Sequence, residues 1–267
     1  APFVYEITNN FNGNNIRKPG YEEAIITYNP TEKKITAHNA GTATLTIRQK
    51  PTNTHNEKVF TCTITVSKYD SEFAWKIANN SEYLIDQTIT KAELFSRATD
   101  NDLPVTIKSS NTNAVTVDNN GTLNAIGAGT AIITVAQAES YKWLPISEQQ
   151  ITIIINKHKP VFTWNPKKIT PYYDTRYADY TGFFESSSTK NNDGLQLTST
   201  SSDPQVAILE AGTNAQKLDL KTFNKPGTTK LTVTQSENWY WAEWSDSYEI
   251  TPQDPINYVP FELKNDN

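Results

Sequence analysis

Two stretches of the chain gather residues whose types suit contact with a ligand. Residues 171–184 read Pro-Tyr-Tyr-Asp-Thr-Arg-Tyr-Ala-Asp-Tyr-Thr-Gly-Phe-Phe, and residues 239–244 read Trp-Tyr-Trp-Ala-Glu-Trp. Tyr and Trp bring a large area, a polar tip and little rotamer entropy, which suits stacking on sugar rings and contact with other proteins. The candidate ligand-binding residues are therefore Tyr172, Tyr173, Arg176, Tyr177 and Tyr180 in the first stretch. In the second they are Trp239, Trp241 and Trp244. Asp174 and Asp179 flank Arg176 and add polar partners. By analogy with base stacking, each ring engaged in this way is worth about 1–3 kcal/mol. The competing reading is an aromatic-rich core with tyrosines along a sandwich edge.

Covalent and metal chemistry find little to work with. Cys62 is the sole cysteine, so an intrachain disulfide and a cysteine-built zinc or iron–sulfur site are both excluded. Its parity with Ile64 and Val66 marks it as a small buried hydrophobe. His38, His55 and His158 are scattered without ligand spacing. There is no nucleophile elbow, phosphate loop, His-Glu-x-x-His helix or EF-hand loop. With 29 acidic residues, carboxylate pairs arise everywhere and none stands out. No catalytic residue, cofactor or metal site is expected, and the chain is not expected to be an enzyme. Asp100-Asn-Asp102 and Asp118-Asn-Asn120 offer the oxygens that calcium takes. Asn and Asp cap their own backbone in turns, which is the simpler reading.

Lys and Arg number 24, leaving a net charge of −5. That balance argues against a nucleic-acid partner, which needs a basic face. It also removes long-range attraction to anionic membranes. No run approaches the roughly 20 apolar residues that span a bilayer, so direct membrane insertion is not expected. The start, Ala-Pro-Phe-Val-Tyr-Glu-Ile-Thr, lacks the basic and apolar regions of a signal peptide. The chain contains no methionine at all, which fits a segment of something longer.

The elements that must position these residues come from internal repeats. One segment recurs as Gly41-Thr-Ala-Thr-Leu-Thr-Ile-Arg-Gln49, Gly129-Thr-Ala-Ile-Ile-Thr-Val-Ala-Gln137 and Gly227-Thr-Thr-Lys-Leu-Thr-Val-Thr-Gln235. Apolar residues and threonines alternate along it, the pattern of a half-buried strand. A second mark is Phe3-Val-Tyr5, Phe73-Ala-Trp75 and Phe162-Thr-Trp164, with Phe261-Glu-Leu263 opening a fourth copy. The glycine precedes the next Phe by 32, 33 and 34 residues. A second alternating run closes each unit: Cys62–Val66, Ile151–Ile155 and Tyr248–Ile250. Asn120-Gly121 signals a hairpin, and only residues 91–97 could pass for a helix. Trp143 and Trp241 each fall six residues after the repeat Gln. Many short strands divided by turn residues predict an all-β chain of three tandem immunoglobulin-like β-sandwich domains. Their spans are 1–70 (shortened), 71–159 and 160–257 (with the aromatic-rich insertion), followed by a further repeat or tail over 258–267.

The run Ser109-Ser-Asn-Thr-Asn-Ala-Val-Thr-Val-Asp-Asn-Asn-Gly-Thr-Leu through Ala128-Gly-Thr-Ala-Ile-Ile-Thr-Val135 resembles the bacterial Ig-like domain, group 2, of the invasin/intimin type. The third repeat keeps Pro226-Gly-Thr228 but has Leu218-Asp-Leu220 where that family shows Gly-Thr. The first keeps Ala40-Gly-Thr-Ala43 and lacks most of the N-terminal half. The resemblance implies a seven-stranded sandwich, an exported and usually cell-surface location, and no catalysis. The expected role is that of adhesin or stalk repeats in a larger bacterial protein, contacting a protein or glycan ligand and continuing into further domains. Two alternatives are a carbohydrate-binding accessory module of a secreted polysaccharide-utilisation system and an Ig-like module of a phage virion.

Overall fold

The computed structural model describes residues 3–11, 13, 16–98, 103–165, 179–186, 197–212, 217–223 and 225–253, with backbone alone at 179, 180 and 186. The chain is all-β. Its one described α-helix, α1 (Lys91–Leu94), is a single turn held by a capping box between Thr90 and Glu93. Contacts divide it into two compact units, residues 1–155 and 156–267.

The first unit holds two of the repeats. The first repeat contains β1 (Phe3–Asn10), β2 (Ile26–Asn29), β3 (Lys34–Ala37), β4 (Gly41–Gln49) and β5 (Lys58–Val66). An antiparallel sheet runs in the order β1-β4-β5, and β2 and β3 form a hairpin. Ile25 and Ile26 at this hairpin bury themselves with Ala43. The second repeat adds β6 (Ala74–Trp75), β7 (Ser81–Leu84), β8 (Thr88–Ile89), β9 (Phe95–Ser96), β10 (Val105–Ser109), β11 (Val115–Val117), β12 (Leu123–Ala125), β13 (Gly129–Gln137) and β14 (Ile146–Asn156). Its sheets are β10-β13-β14-β7 and β11-β12-β8, with β6 paired to β9.

The second unit is the third repeat: β15 (Phe162–Trp164), β16 (Asp179–Ser186), β17 (Leu197–Ser201), β18 (Ala207–Ala211), β19 (Lys217–Thr222), β20 (Thr229–Gln235) and β21 (Trp244–Ile250). Its two sheets are β15-β16-β19-β18 and β17-β20-β21. Between them lies a core centred on Phe183, Phe184, Leu220, Leu231 and Val233.

The repeat segment is the central strand each time: β4, β13 and β20. Gly41 and Gly129 open β4 and β13, and Gly227 stands two residues before β20, with φ of 147°, 150° and 148°. L-residues rarely adopt that region, and a Cβ on Gly41 would lie 2.9 Å from the Asn10 carbonyl oxygen. The glycines are thus required by the turn into the strand. Asn120-Gly121 forms the expected hairpin between β11 and β12, with Gly121 at φ 80°.

Three expectations need correction. First, Phe3-Val-Tyr5 is not the counterpart of Phe73-Ala-Trp75. Phe3 pairs with the repeat residue Gln49, as Val105 pairs with Gln137 and Leu197 with Gln235. So β1 corresponds to β10 and β17, and the segment equivalent to residues 73–104 would precede β1. Second, residues 171–184 are not wholly additional to the shared fold. Phe183 and Phe184 are fully buried, and Trp164 pairs with Phe184 as Trp75 pairs with Phe95. The strand β16 does in one piece what β8, α1 and β9 do in the second repeat. Third, Cys62 is exposed. Its cross-strand equivalents differ: Leu45 faces Cys62, Ile133 faces Ile151, and Ile151 is only 5% exposed. The physical reason is that, among the described residues, no strand lies beyond β5, whereas β7 pairs with β14. Cys62 is therefore expected to react fully with a maleimide in the native protein, at a rate little changed by denaturant; mass spectrometry of the labelled chain checks it.

Candidate functional site

Two candidate sites emerge, one repeated and one aromatic. The repeated one is a docked linker. Residues 67–71 precede the second repeat, and Tyr69 runs parallel to Trp143 in the loop between β13 and β14. Tyr69 N–H donates to Lys142 O at 2.8 Å, and Leu144 N–H donates to Tyr69 O at 2.9 Å. The same clamp appears in the third repeat. His158 N–H donates to Tyr240 O, Ala242 N–H donates to His158 O, and His158 runs parallel to Trp241.

Side chains repeat the arrangement. Lys68 Nζ meets Glu139 Oε2 at 2.8 Å, and Lys157 Nζ meets Glu237 Oε2 at 2.8 Å. A short polar side chain shapes each loop. Ser140 Oγ accepts the amides of Lys142 and Trp143, and Asn238 Oδ1 accepts those of Tyr240 and Trp241. Rings close over the clamp, with Tyr69 and Trp143 centred 5.3 Å apart and His158 stacked on Tyr240 at 4.2 Å. The two clamps differ at the repeat Gln. Gln137 donates to Ser71 Oγ and takes the guanidinium of Arg97. In the third repeat Pro160 occupies the place of Ser71, and Gln235 Nε2 has no partner among the described residues.

The second candidate is the aromatic set of the third repeat. Tyr172, Tyr173, Arg176 and Tyr177 lie outside the described residues. So do the Asp100–Asp102 stretch and the tail after residue 253. Tyr180 pairs through its backbone with Leu220. The three tryptophans separate. Trp241 is 8% exposed and belongs to the clamp. Trp244 packs on Phe162 at 4.0 Å and against the core. Its position opposite Gln235 is held by Ile146 in the second repeat, so the site in the strand is a shared one. Trp239 is 56% exposed, with Tyr240 against its edge at 5.3 Å. Of the described candidates, Trp239 is therefore the ring open to a ligand. Trp164 joins the packed cluster and donates from Nε1 to Asp246 Oδ2 at 2.9 Å.

Sequence reasoning missed Lys68, Glu139, Lys157 and Glu237. The signal was present: each Glu falls two residues after the repeat Gln, and each Lys five residues before the Phe-x-Trp mark. Asp118 follows the turn reading, since its Oδ1 accepts the amides of Asn120 and Thr122.

In the first unit, Lys18, His38, Tyr69, Tyr141 and Lys142 line a cleft of about 350 Å³. His38 is buried, stacked on Tyr21 at 3.7 Å and bonded through Nε2 to Thr27 Oγ1 at 2.9 Å. Burial, with Lys18 adding to it, pushes the imidazole below its ordinary value. The unfolded chain then takes up the proton first, so stability present above the ordinary value is lost as the pH falls through it. Denaturation from about pH 7.5 to about pH 5.5 should show the first unit weakening, and His38→Gln should flatten that slope.

No family model and no curated protein matches the sequence. Among solved structures, the chain overlaps with domains 1–6 of the surface layer protein SbsC at TM-score 0.36 and 14% identity, covering 94% of this chain and 35% of that one. It overlaps with SbsC domains 4 and 5 at 0.29 and 15%, covering 94% and 98%. The human desmocollin-1 ectodomain gives 0.28 and 14%, covering 94% and 54%. The chain spans about a third of the length of the longer SbsC structures. Superpositions at these scores assign no role. The tandem β architecture rests on the chain's own strands, and no helix among the described residues is long and apolar enough to cross a membrane.

Proposed function

We propose that the chain is a non-enzymatic, extracellular run of Ig-like repeats, divided near residues 70 and 160, that serves as the spacer or adhesin segment of a cell-surface protein. The bacterial group 2 Ig-like kind is the reading that the sequence motifs favour. One observation carries the role: the same clamp holds the linker onto the following repeat twice, with the same two main-chain bonds and the same Lys–Glu pair. A catalytic protein has no need of a repeated clamp, whereas a spacer does. Surface loops are normally the first sites of proteolytic nicking. Residues 67–71 and 157–160 are therefore expected to resist a broad-specificity protease until the repeats themselves unfold. Cleavage in either linker while both units remain folded would sink the spacer reading.

A second reading, carbohydrate or protein contact, is favoured by the exposed Trp239 ring. A glycan array probed with the intact chain tests it. Trp239→Ala should leave the thermal transition unmoved and weaken any glycan signal by roughly 5- to 150-fold, the equivalent of one stacked ring. Equal binding by the variant removes Trp239 from the contact.

A further inference from the structure

A hollow of about 390 Å³ opens on the second repeat beside β14, a size within the range of small-ligand pockets. Trp75, Ile77 and Ile132 give it an apolar lining, and Asn79, Gln150 and Thr152 a polar one. Among the described residues, no charged side chain lines it. Asn79 is oriented by its Oδ1, which accepts the Thr152 N–H at 2.9 Å. That bond leaves the Asn79 amide donors uncommitted among the described residues, and the exposed Gln150 side chain makes no hydrogen bond there either.

The third repeat fills the equivalent space with its own side chains. Trp164 is the counterpart of Trp75, since it pairs with Phe184 as Trp75 pairs with Phe95. Tyr248 faces Leu231 where Ile151 faces Ile133, so the two hold one position. Tyr248 lies on Trp164 with ring centroids 5.5 Å apart and planes 29° from parallel. Asp246, two residues earlier, accepts the Trp164 indole N–H at 2.9 Å. The second repeat lacks both supports. Ile151 has no ring to lay on Trp75, and Gln149, the counterpart of Asp246, donates from Nε2 to Ser147 instead. Phe73 and Phe95 meet Trp75 at 88° and 87°, edge to face and not stacked. No acceptor among the described residues takes the Trp75 indole N–H.

We infer that this hollow binds a neutral pyranose ring, which supplies in the second repeat what Tyr248 and Asp246 supply in the third. A pyranose has an apolar C–H face that suits an indole, and hydroxyl oxygens around its rim. One oxygen accepts the Trp75 N–H, and the amides of Asn79 and Gln150 and the Thr152 hydroxyl bond the others. The lining favours a neutral sugar, because an acidic one would bring a carboxylate with no cation to meet it. The site shares no residue with the Trp239 contact, so either can fail without the other.

The test probes the intact chain with an array of neutral and acidic oligosaccharides, then titrates the neutral ones that bind while following the indole N–H resonances. The Trp75 resonance, assigned by its loss in Trp75→Phe, should move. Ile151→Tyr, which fills the hollow as the third repeat does, should weaken that binding roughly 5- to 150-fold by denying the sugar the indole face. Gln150→Ala alters only an exposed side chain, so it should leave the thermal transitions in place and weaken binding roughly 2- to 13-fold, the loss of one hydrogen bond. The Trp75 shift should survive Trp239→Ala. The inference is overturned if no neutral oligosaccharide moves the Trp75 resonance, if acidic ones bind in preference, or if binding is unchanged in both Ile151→Tyr and Gln150→Ala. A shift produced only by the peptide Asp-Ser-Tyr-Glu-Ile, the sequence of residues 246–250, would overturn it too and assign the hollow to a protein partner.

Discussion

Replacing Phe184 by alanine is expected to unfold the third repeat at a temperature where residues 1–155 remain native. Phe184 is fully buried and touches Phe162, Trp164 and Trp244 through its ring. Removing such a ring from a core costs about 3–5 kcal/mol, the lost transfer free energy plus the cavity left behind. A domain of this size holds only about 5–15 kcal/mol in total. The loss should therefore appear as a large downward shift of one calorimetric transition. Because the first unit has its own cores, its transition should stay where it was. A single transition moving as a whole would show instead that the two units unfold together.

Glu139→Ala should loosen the first linker more than Glu237→Ala loosens the second. The two ion pairs have the same length, but their surroundings differ. The Lys68 side chain is only 5% exposed, against 23% for Lys157, and Glu139 is 37% exposed against 65% for Glu237. Stranding a buried ammonium without its partner costs several kcal/mol in the limit, whereas an exposed pair is worth about 0–1 kcal/mol. Glu139 still meets water, so a cost of about 1–3 kcal/mol is expected for the first clamp. Hydrogen exchange at the Tyr69 and Leu144 amides reads it directly, because those two groups make the clamp's main-chain bonds. Comparable speeding of exchange at the His158 and Ala242 amides in Glu237→Ala would show that burial of the lysine is not what matters.

Much of the fold was legible because it is local and periodic. The strands that follow Gly41, Gly129 and Gly227 declare themselves through alternation, and Asn120-Gly121 dictates its own turn. Trp143 and Trp241 also betrayed a shared structural position through a fixed distance from the repeat Gln. What could not be read was pairing across long separations. Phe3-Val-Tyr5 and Phe73-Ala-Trp75 look alike because both open a strand with alternating aromatics. Only the partner strand tells them apart: Gln49 for one, Phe95 for the other. Cys62 followed the right parity, yet parity says which face a residue joins and not whether anything covers that face. The aromatic candidates divided for a similar reason. Trp239, Trp241 and Trp244 are neighbours in sequence, but a loop, a clamp and a strand send them to three different surroundings.

The clamps have a consequence for the order of events during synthesis. Lys68 and Glu139 are 71 residues apart, and Lys157 and Glu237 are 80 apart. At about 5–20 residues per second, a ribosome makes each loop roughly 4–16 seconds after the linker it must hold. Small domains fold in far less time than that. Each repeat must therefore reach its native state while the chain leaving it is still unclamped, and the clamp closes only when the next repeat has been made. Growth of the array is thus a ratchet, in which every new repeat, on folding, fastens the linker that leads into it.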